Sequence, residues 1–521
     1  MGITRLTLAF AFLFFCGNSY AQSYEPSWGP PSKKPGGFNT PMYSLGVMNG
    51  DYYMSFVNGA TNTIQRFNSK HKFLGKQELT IQKGKRNLAI REILHTRDGY
   101  YGFSGYYDKK KQTYSLIAYD LEDGKFTKRR KIFSQELRLS GLRSASGGKL
   151  SLFGGRVASQ LGIPLNDFVM SADSNMLAFH NLVSDRNYFA EDQIMVGLFD
   201  KDLNLQWKKK QPLNYQDRDL VIVRAAVSVK GEIFILGRLF ERRRVKDRRL
   251  PRYDYKLFVI TKDDFKEINI RLPGDNAPTD AGLFIPPSES EVIVGGLYTN
   301  SDRRGGLLGT FLIRIDLADY QIGSKQYKFS PRDLENIVNK GRIKRNKGLQ
   351  EDRYEIKDFI SFTNGSMAMV MESTWTTINS NPSPSGANTI QTIYHSDAIL
   401  IPTFGRDGEL EKIGKIDKYY SSSSALNQSY GLGWDQGNIF LLYNDRKSGR
   451  ERRDIGGRKG SLYTDMTVLS ADGKKIWEGN VFNNRAIRSV FVPSMCTIRE
   501  GKMMLVGLRL GKYQVGIVDV H

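Results

Sequence analysis

Residues 467–480 read TVLSADGKKIWEGN, and their reading decides the fold. Thr467, Val468 and Leu469 form a short β-branched and apolar run. Ser470-Ala471-Asp472-Gly473 follows, and a second, more polar run resumes at Lys475. Three readings compete: a degraded Asp-box of the sialidase type, a calcium-binding loop, and a tight turn between two strands. Ser470, Asp472 and Trp477 match the Asp-box pattern, but Gly473 stands one position early and Lys474 occupies the place where glycine belongs.

Other stretches settle the matter, because the same turn recurs. IAYDLEDGKFTKRRKIF (117–133), VGLFDKDLNLQWKKKQPL (196–213) and FVITKDDFKEINIRL (258–272) each end an apolar strand in a short polar turn and start a more polar strand. Seven such pairs can be found. Between them lie eight hairpins of another kind, with an apolar second strand. SVKGEIFILGRL (228–239), SFTNGSMAMVME (361–372), WDQGNIFLLYN (434–444) and TIREGKMMLVGL (497–508) are examples. Gly in these turns accepts the positive φ that a tight hairpin requires. An apolar pair followed by a more polar pair is the four-stranded blade of a β-propeller, with the polar strand at the rim.

The expected fold is therefore all-β, a propeller of four-stranded antiparallel blades, eight by count with seven as the alternative. The final apolar pair ends the chain at YQVGIVDVH, where an eighth polar pair would turn. The hairpin-like SASGGKLSLFGGRVAS (144–159) fits no blade and reads as an insertion. SPRDLENIVNKGRIKRN (330–346) predicts a short helical insertion near 331–345: Ser330 can cap, Pro331 suits a first turn and Asp333 favours the N-terminal dipole.

Arg5, the apolar run LTLAFAFLFFCG and the small-residue junction after Ala21 predict a signal peptide over 1–21. Cleavage would remove Cys16 and leave Cys496 as the only thiol, so a large core rather than disulfides must hold the fold. Residues 22–40 form a Pro/Gly/Lys-rich leader, expected as an extended tether or wrapping arm. A propeller domain is expected over 41–521. The turn-and-strand pattern over nearly all of the mature chain resembles the broad group of exported PQQ-like and WD40-like propellers, without the motifs of any subfamily. The export signal resembles those of Bacteroidota.

No Gly-x-Ser-x-Gly elbow, P-loop or dinucleotide fingerprint occurs, and His71, His95, His180, His395 and His521 show no metal-ligand spacing. No catalytic residue, metal or cofactor is assigned. Asp200, Asp202 and Asn204 have the alternate-oxygen spacing of a calcium loop, but Leu205 and Gln211 stand where Gly and a bidentate acid belong, so a polar turn is expected.

The formal net charge of +22 is the least ordinary feature. Three runs concentrate it: Arg242, Arg243, Arg244, Arg248 and Arg249 in the first; Lys344 and Arg345 in the second; Arg450, Arg452, Arg453 and Lys459 in the third. They read either as solvated charge or as a surface for an anionic partner. Trp375, opening a Ser/Asn/Pro-rich loop, and Trp434 read either as packing between blades or as anchors for a ligand. The expected function is that of an exported, non-catalytic binding or scaffold protein of the bacterial envelope, periplasmic or at the outer membrane. Its partner would be a protein or an anionic glycan or lipid surface. Nucleic acid is not expected, nor is a transmembrane segment after cleavage. The alternative is a carbohydrate-active hydrolase or lyase with its site in the central channel.

Overall fold

The computed structural model describes residues 24–520 apart from intervening stretches, the longest being 145–166, 242–252, 330–353 and 446–461. The 144–159 hairpin beyond Ser144, the helical insertion near 331–345 and all three basic runs lie outside the described residues.

Eight antiparallel sheets follow one another along the chain. Blade 1 comprises strands 42–48, 51–58, 61–67 and 73–80, hydrogen-bonded in that order. Blades 4, 5 and 7 repeat the order with 218–227 to 265–270, 276–284 to 322–328 and 430–435 to 475–483. The first strands of neighbouring blades approach one another, so they line the axis. The chain is an eight-bladed propeller.

Its core follows from strand geometry. Successive side chains of a strand point to opposite faces, and both faces of a blade meet another blade. In IFIL (233–236), Ile233 and Ile235 pack against blade 3, while Phe234 and Leu236 pack against blade 5. This is why second strands read as unbroken apolar runs. The described residues form eight apolar clusters, one at each seam between adjacent blades. The eighth seam joins Met54 and Phe56 of blade 1 to Met504 and Val506 of the last blade, which closes the ring.

The leader completes that last blade. Ser27 and Trp28 pair antiparallel with Ile517 and Gly516, and Ser32 and Lys33 with Tyr513 and Lys512. A segment read from composition as a tether or wrapping arm thus supplies the rim strand. Proline is compatible with this place because an edge strand needs few donors, and Pro30-Pro31 separates the two paired dipeptides.

The recurring turn is a three-residue hairpin loop with a bulge. In the opening stretch, the Gly473 N–H donates to Ser470 O (2.8 Å) and the Ser470 N–H to Lys474 O (2.9 Å). Gly473 has φ 73°, the left-handed residue that such a loop needs after its type I turn. The same two bonds close Asn68–Lys72, Asp200–Asn204, Ser228–Glu232 and Gly405–Glu409. The Asp472 carboxyl is held below its usual range by the Ser470 hydroxyl and then by the Lys474 N–H. Asp200 accepts from the N–H groups of Asp202 (3.0 Å) and Asn204 (2.8 Å) and from the side chains of Asn204 and Gln206. Its oxygens are thus occupied by its own turn.

One core residue makes stability depend on pH. His180, on strand 176–185, is buried, and burial depresses its imidazole to about 4. The unfolded value is about 6.5. The unfolded chain therefore takes up this proton first as pH falls. The stabilisation is complete above about pH 6.5 and is lost towards pH 4, by about 3 kcal/mol. Urea unfolding across this range should show His180→Leu losing less stability than the parent. Parallel losses in the two proteins would exclude His180 as the cause.

Candidate functional site

The inner strands of blades 4, 5 and 6 share a defect. Each carries a β-bulge, between Ile222 and Arg224, Pro278 and Asp280, and Ile356 and Asp358. A bulge twists its strand and re-aims the next side chain. Here that next residue is charged in all three blades, so one sector of the channel wall carries Arg224, Asp280 and Asp358.

Polar contacts run from blade to blade. Asp280 accepts from the Ile356 N–H of blade 6 (2.7 Å) and from Arg238 of blade 4 (2.6 Å). The Arg238 guanidinium lies over the Tyr253 and Tyr255 rings, 4.9 Å from each centroid. Arg224 of blade 4 reaches past blade 5 and donates to Lys357 O of blade 6. Tyr430 of blade 7 donates to Asp358 at 2.9 Å. Four consecutive blades therefore contribute to one polar sector.

The electrostatics divide the sector in two. Burial raises the Asp358 carboxyl above the usual carboxylate range, and Glu372 adds to this; the Tyr430 hydroxyl, Arg224 and Lys357 oppose it. Burial, followed by the charge of Asp358, keeps the Tyr430 phenol protonated well above its ordinary value. Arg224, by contrast, is exposed. A guanidinium has five N–H donors, and its hydrogen bond to Lys357 O leaves others facing solvent. The arrangement pairs an open cation with a half-buried carboxyl (Asp358) that has a donor fixed against it. It can receive a carboxylate, sulfate or phosphate at Arg224 beside a group able to hold a proton at Asp358. Among the described residues no three His, Cys, Asp or Glu side chains gather as metal ligands. Burial pushes the Cys496 thiol up, which disfavours the reactive thiolate.

The sequence-chosen residues fall elsewhere. Trp434 is 63% exposed and stands at the end of an inner strand, beside the turn to the second strand. Trp375 lies on the second strand of blade 6 beyond its inner partner, at the opposite face, and stacks on His395 at 4.9 Å. The stretch read as a loop from Trp375 is strand as far as Pro382 and pairs with Asn388–Phe404. The two tryptophans do not share a site.

Chain topology also divides the two faces. Turns from first to second strand and from third to fourth span two to six residues throughout. The basic stretches 242–252, 329–353 and 446–462 all join second to third strands or one blade to the next, so their anchors lie on the other face. Each stretch has seven Lys or Arg, against one, four and two Asp or Glu, a net +14 of the formal +22.

Sequence reasoning missed Arg224, Asp280, Asp358 and Tyr430. The available signal was a charged residue three or four places before the end of each of these inner strands, in VIVRAAV, TDAGLF and IKDFIS, although strands 218–227 and 354–361 carry other charges as well.

No family model matches the chain, and no curated protein matches it in sequence. Solved structures of similar fold include polysaccharide lyase Uly1, at 11% identity and TM-score 0.40, covering 97% of this chain and 94% of that one. The β-propeller domain of the Trilobed protease from Pyrococcus furiosus aligns at 12% identity and TM-score 0.32, covering 89% and 97%. Prolyl oligopeptidase B from Galerina marginata aligns at 9% and 0.39, covering 94% and 55%. The likeness extends to the propeller fold alone. No described helix is long and apolar enough to cross a membrane.

Proposed function

We propose that the protein is an exported binding propeller of the bacterial envelope that engages an anionic polymer through the face bearing its long basic connections. The observation that carries this reading is that the described strand ends anchoring the three basic stretches lie on one face. Charge gathered on one side of a rigid ring attracts a polyanion over about a Debye length, and the attraction weakens with salt. Arg224 in the channel would take an acidic group of the same ligand.

The test uses immobilised polygalacturonate, with dextran as the uncharged control. Retention of the mature chain at low salt, its loss at high salt and no retention on dextran are expected. Replacing Arg242, Arg243 and Arg244 with Ala should weaken retention about tenfold, and Arg224→Ala several-fold on short oligomers. Equal retention on dextran, or no retention at low salt, would defeat the proposal.

A second reading, a carbohydrate-active hydrolase or lyase, draws on a separate observation: the raised Asp358 carboxyl against Tyr430, beside an open arginine. A carboxyl raised by burial holds its proton more firmly than an exposed one and suits proton transfer to or from a bound ligand. Under this reading Asp358→Asn abolishes release of unsaturated or reducing ends from a polyuronate while leaving its retention unchanged. Absence of any such release from the parent chain would remove it.

A further inference from the structure

The second and third strands of blade 6 are 16 and 17 residues long, whereas those of the other blades have seven to ten. Blade 6's inner strand begins at Tyr354, opposite Ser373. From Thr374 to Pro382 the hairpin runs on with its partner 388–396 alone, about 30 Å at 3.3 Å per residue. Its base is fixed. Trp375 stacks on His395, Thr377 shares a 3.0 Å hydrogen bond with His395, and residues 420–422 pair with 394–396. Beyond that base Thr376, Thr377, Ile378 and Asn379 are exposed, and Ile378 is the most exposed large hydrophobic described, at 69%. Among the described residues no strand covers the outer edge of 376–379.

A long edge of this kind is a template for pairing, and proteins ordinarily blunt it with Lys, Pro or a twist. The 376–379 edge carries neither Lys nor Pro, the first proline standing at Pro382 where the strand ends. Between Glu372 and Asp397 there are 24 residues without one Asp, Glu, Lys or Arg, where the chain's 25% charged content would place about six. An edge meant for a different chain can carry charges, since the partner can match them. An edge that meets its own copy across a two-fold axis cannot, because each central charge faces its like. Thr pairs well with Thr across strands, and uncharged Ile and Asn meet their own copies without repulsion.

We infer that the blade 6 arm is a self-association strand: the 376–379 edges of two copies pair antiparallel about a two-fold axis and join the arms into one four-stranded sheet. Each copy carries +22, so the dimer forms against mutual repulsion. Added salt screens that repulsion and tightens the dimer, the opposite of the response expected for an acidic partner on the same edge.

Sedimentation equilibrium of the mature chain at low and high salt tests this. Expected is a monomer–dimer equilibrium that strengthens with salt, weakens about tenfold or more in Ile378→Lys and stays within about twofold in Ile378→Val. Ile378 is exposed, so at concentrations where the parent is monomeric both variants should keep the parental urea midpoint, which separates lost pairing from lost folding. Monomer at every concentration and salt, or a dimer indifferent to Ile378→Lys, overturns the inference.

Discussion

Relative to a chain that starts at residue 22, one that starts at residue 37 is expected to lose at least about 3 kcal/mol of stability, and a leader peptide of residues 22–40 added back is expected to restore much of it. The size follows from what the leader buries. Tyr24 is 5% exposed and packs edge-on against Trp477 and Phe440, at 4.9 and 6.1 Å. Trp28 meets Phe482 at 5.1 Å and lies over Gly516 and Gly507, where any added Cβ would fall 2.7 and 3.4 Å from its ring. Truncating one buried aromatic costs about 3–5 kcal/mol. The backbone adds bonds from Gly29 to Val515 O (2.9 Å) and from Lys34 to Gly511 O (3.0 Å). Ser27 reaches His71 of blade 1 at 2.9 Å, so the leader touches both sides of the closing seam. Urea unfolding of the truncated chain with and without peptide reads the effect, and Trp28→Ala should reproduce about 3 kcal/mol of it. Coincident unfolding of parent and truncated chain would show that the seam closes without the leader.

This closure also marks where the sequence stops being legible. The blades were readable because tight turns require Gly, Asn or Asp at fixed places, and because buried second strands must be apolar on both faces. Gly473, Gly231 and Gly408 show the first rule and IFIL (233–236) the second. The leader hid because two paired dipeptides between prolines carry no alternation. The polar sector hid for a different reason. Arg224, Asp280 and Asp358 are far apart in the chain, and only a bulge in each of three consecutive blades brings them together. Bulges follow from register, and register appears only once strands are paired. The basic runs were legible as charge, and the common face of their anchors followed once strand order was assigned.

Lys418→Met should cost about 3–5 kcal/mol, although no residue of the channel is touched directly. Lys418 lies on the connection from blade 6 to blade 7, between strands 410–416 and 430–435. It is fully buried, as is its ion-pair partner Glu372 at the foot of the arm. The ammonium also donates to Ser429 O (3.0 Å) and sits 5.8 Å from the Tyr443 ring centre. Removing one member leaves a buried charge uncompensated, which is the expensive outcome. Removing both, as Glu372→Leu with Lys418→Met, should return most of the loss, because an apolar pair of similar volume has no desolvation cost to offset. A double-mutant cycle by urea unfolding then gives a coupling of several kcal/mol. Additive single losses would instead show two independent packing defects. The same pair bears on the site: Glu372 contributes to raising the Asp358 carboxyl and to holding the Tyr430 phenol up. The Glu372→Leu/Lys418→Met protein should therefore titrate Asp358 at lower pH than the parent, by NMR of a selectively labelled carboxyl. If Asp358 titrates unchanged, burial and its direct partners alone set its proton affinity, and the seam supports the channel sector only mechanically.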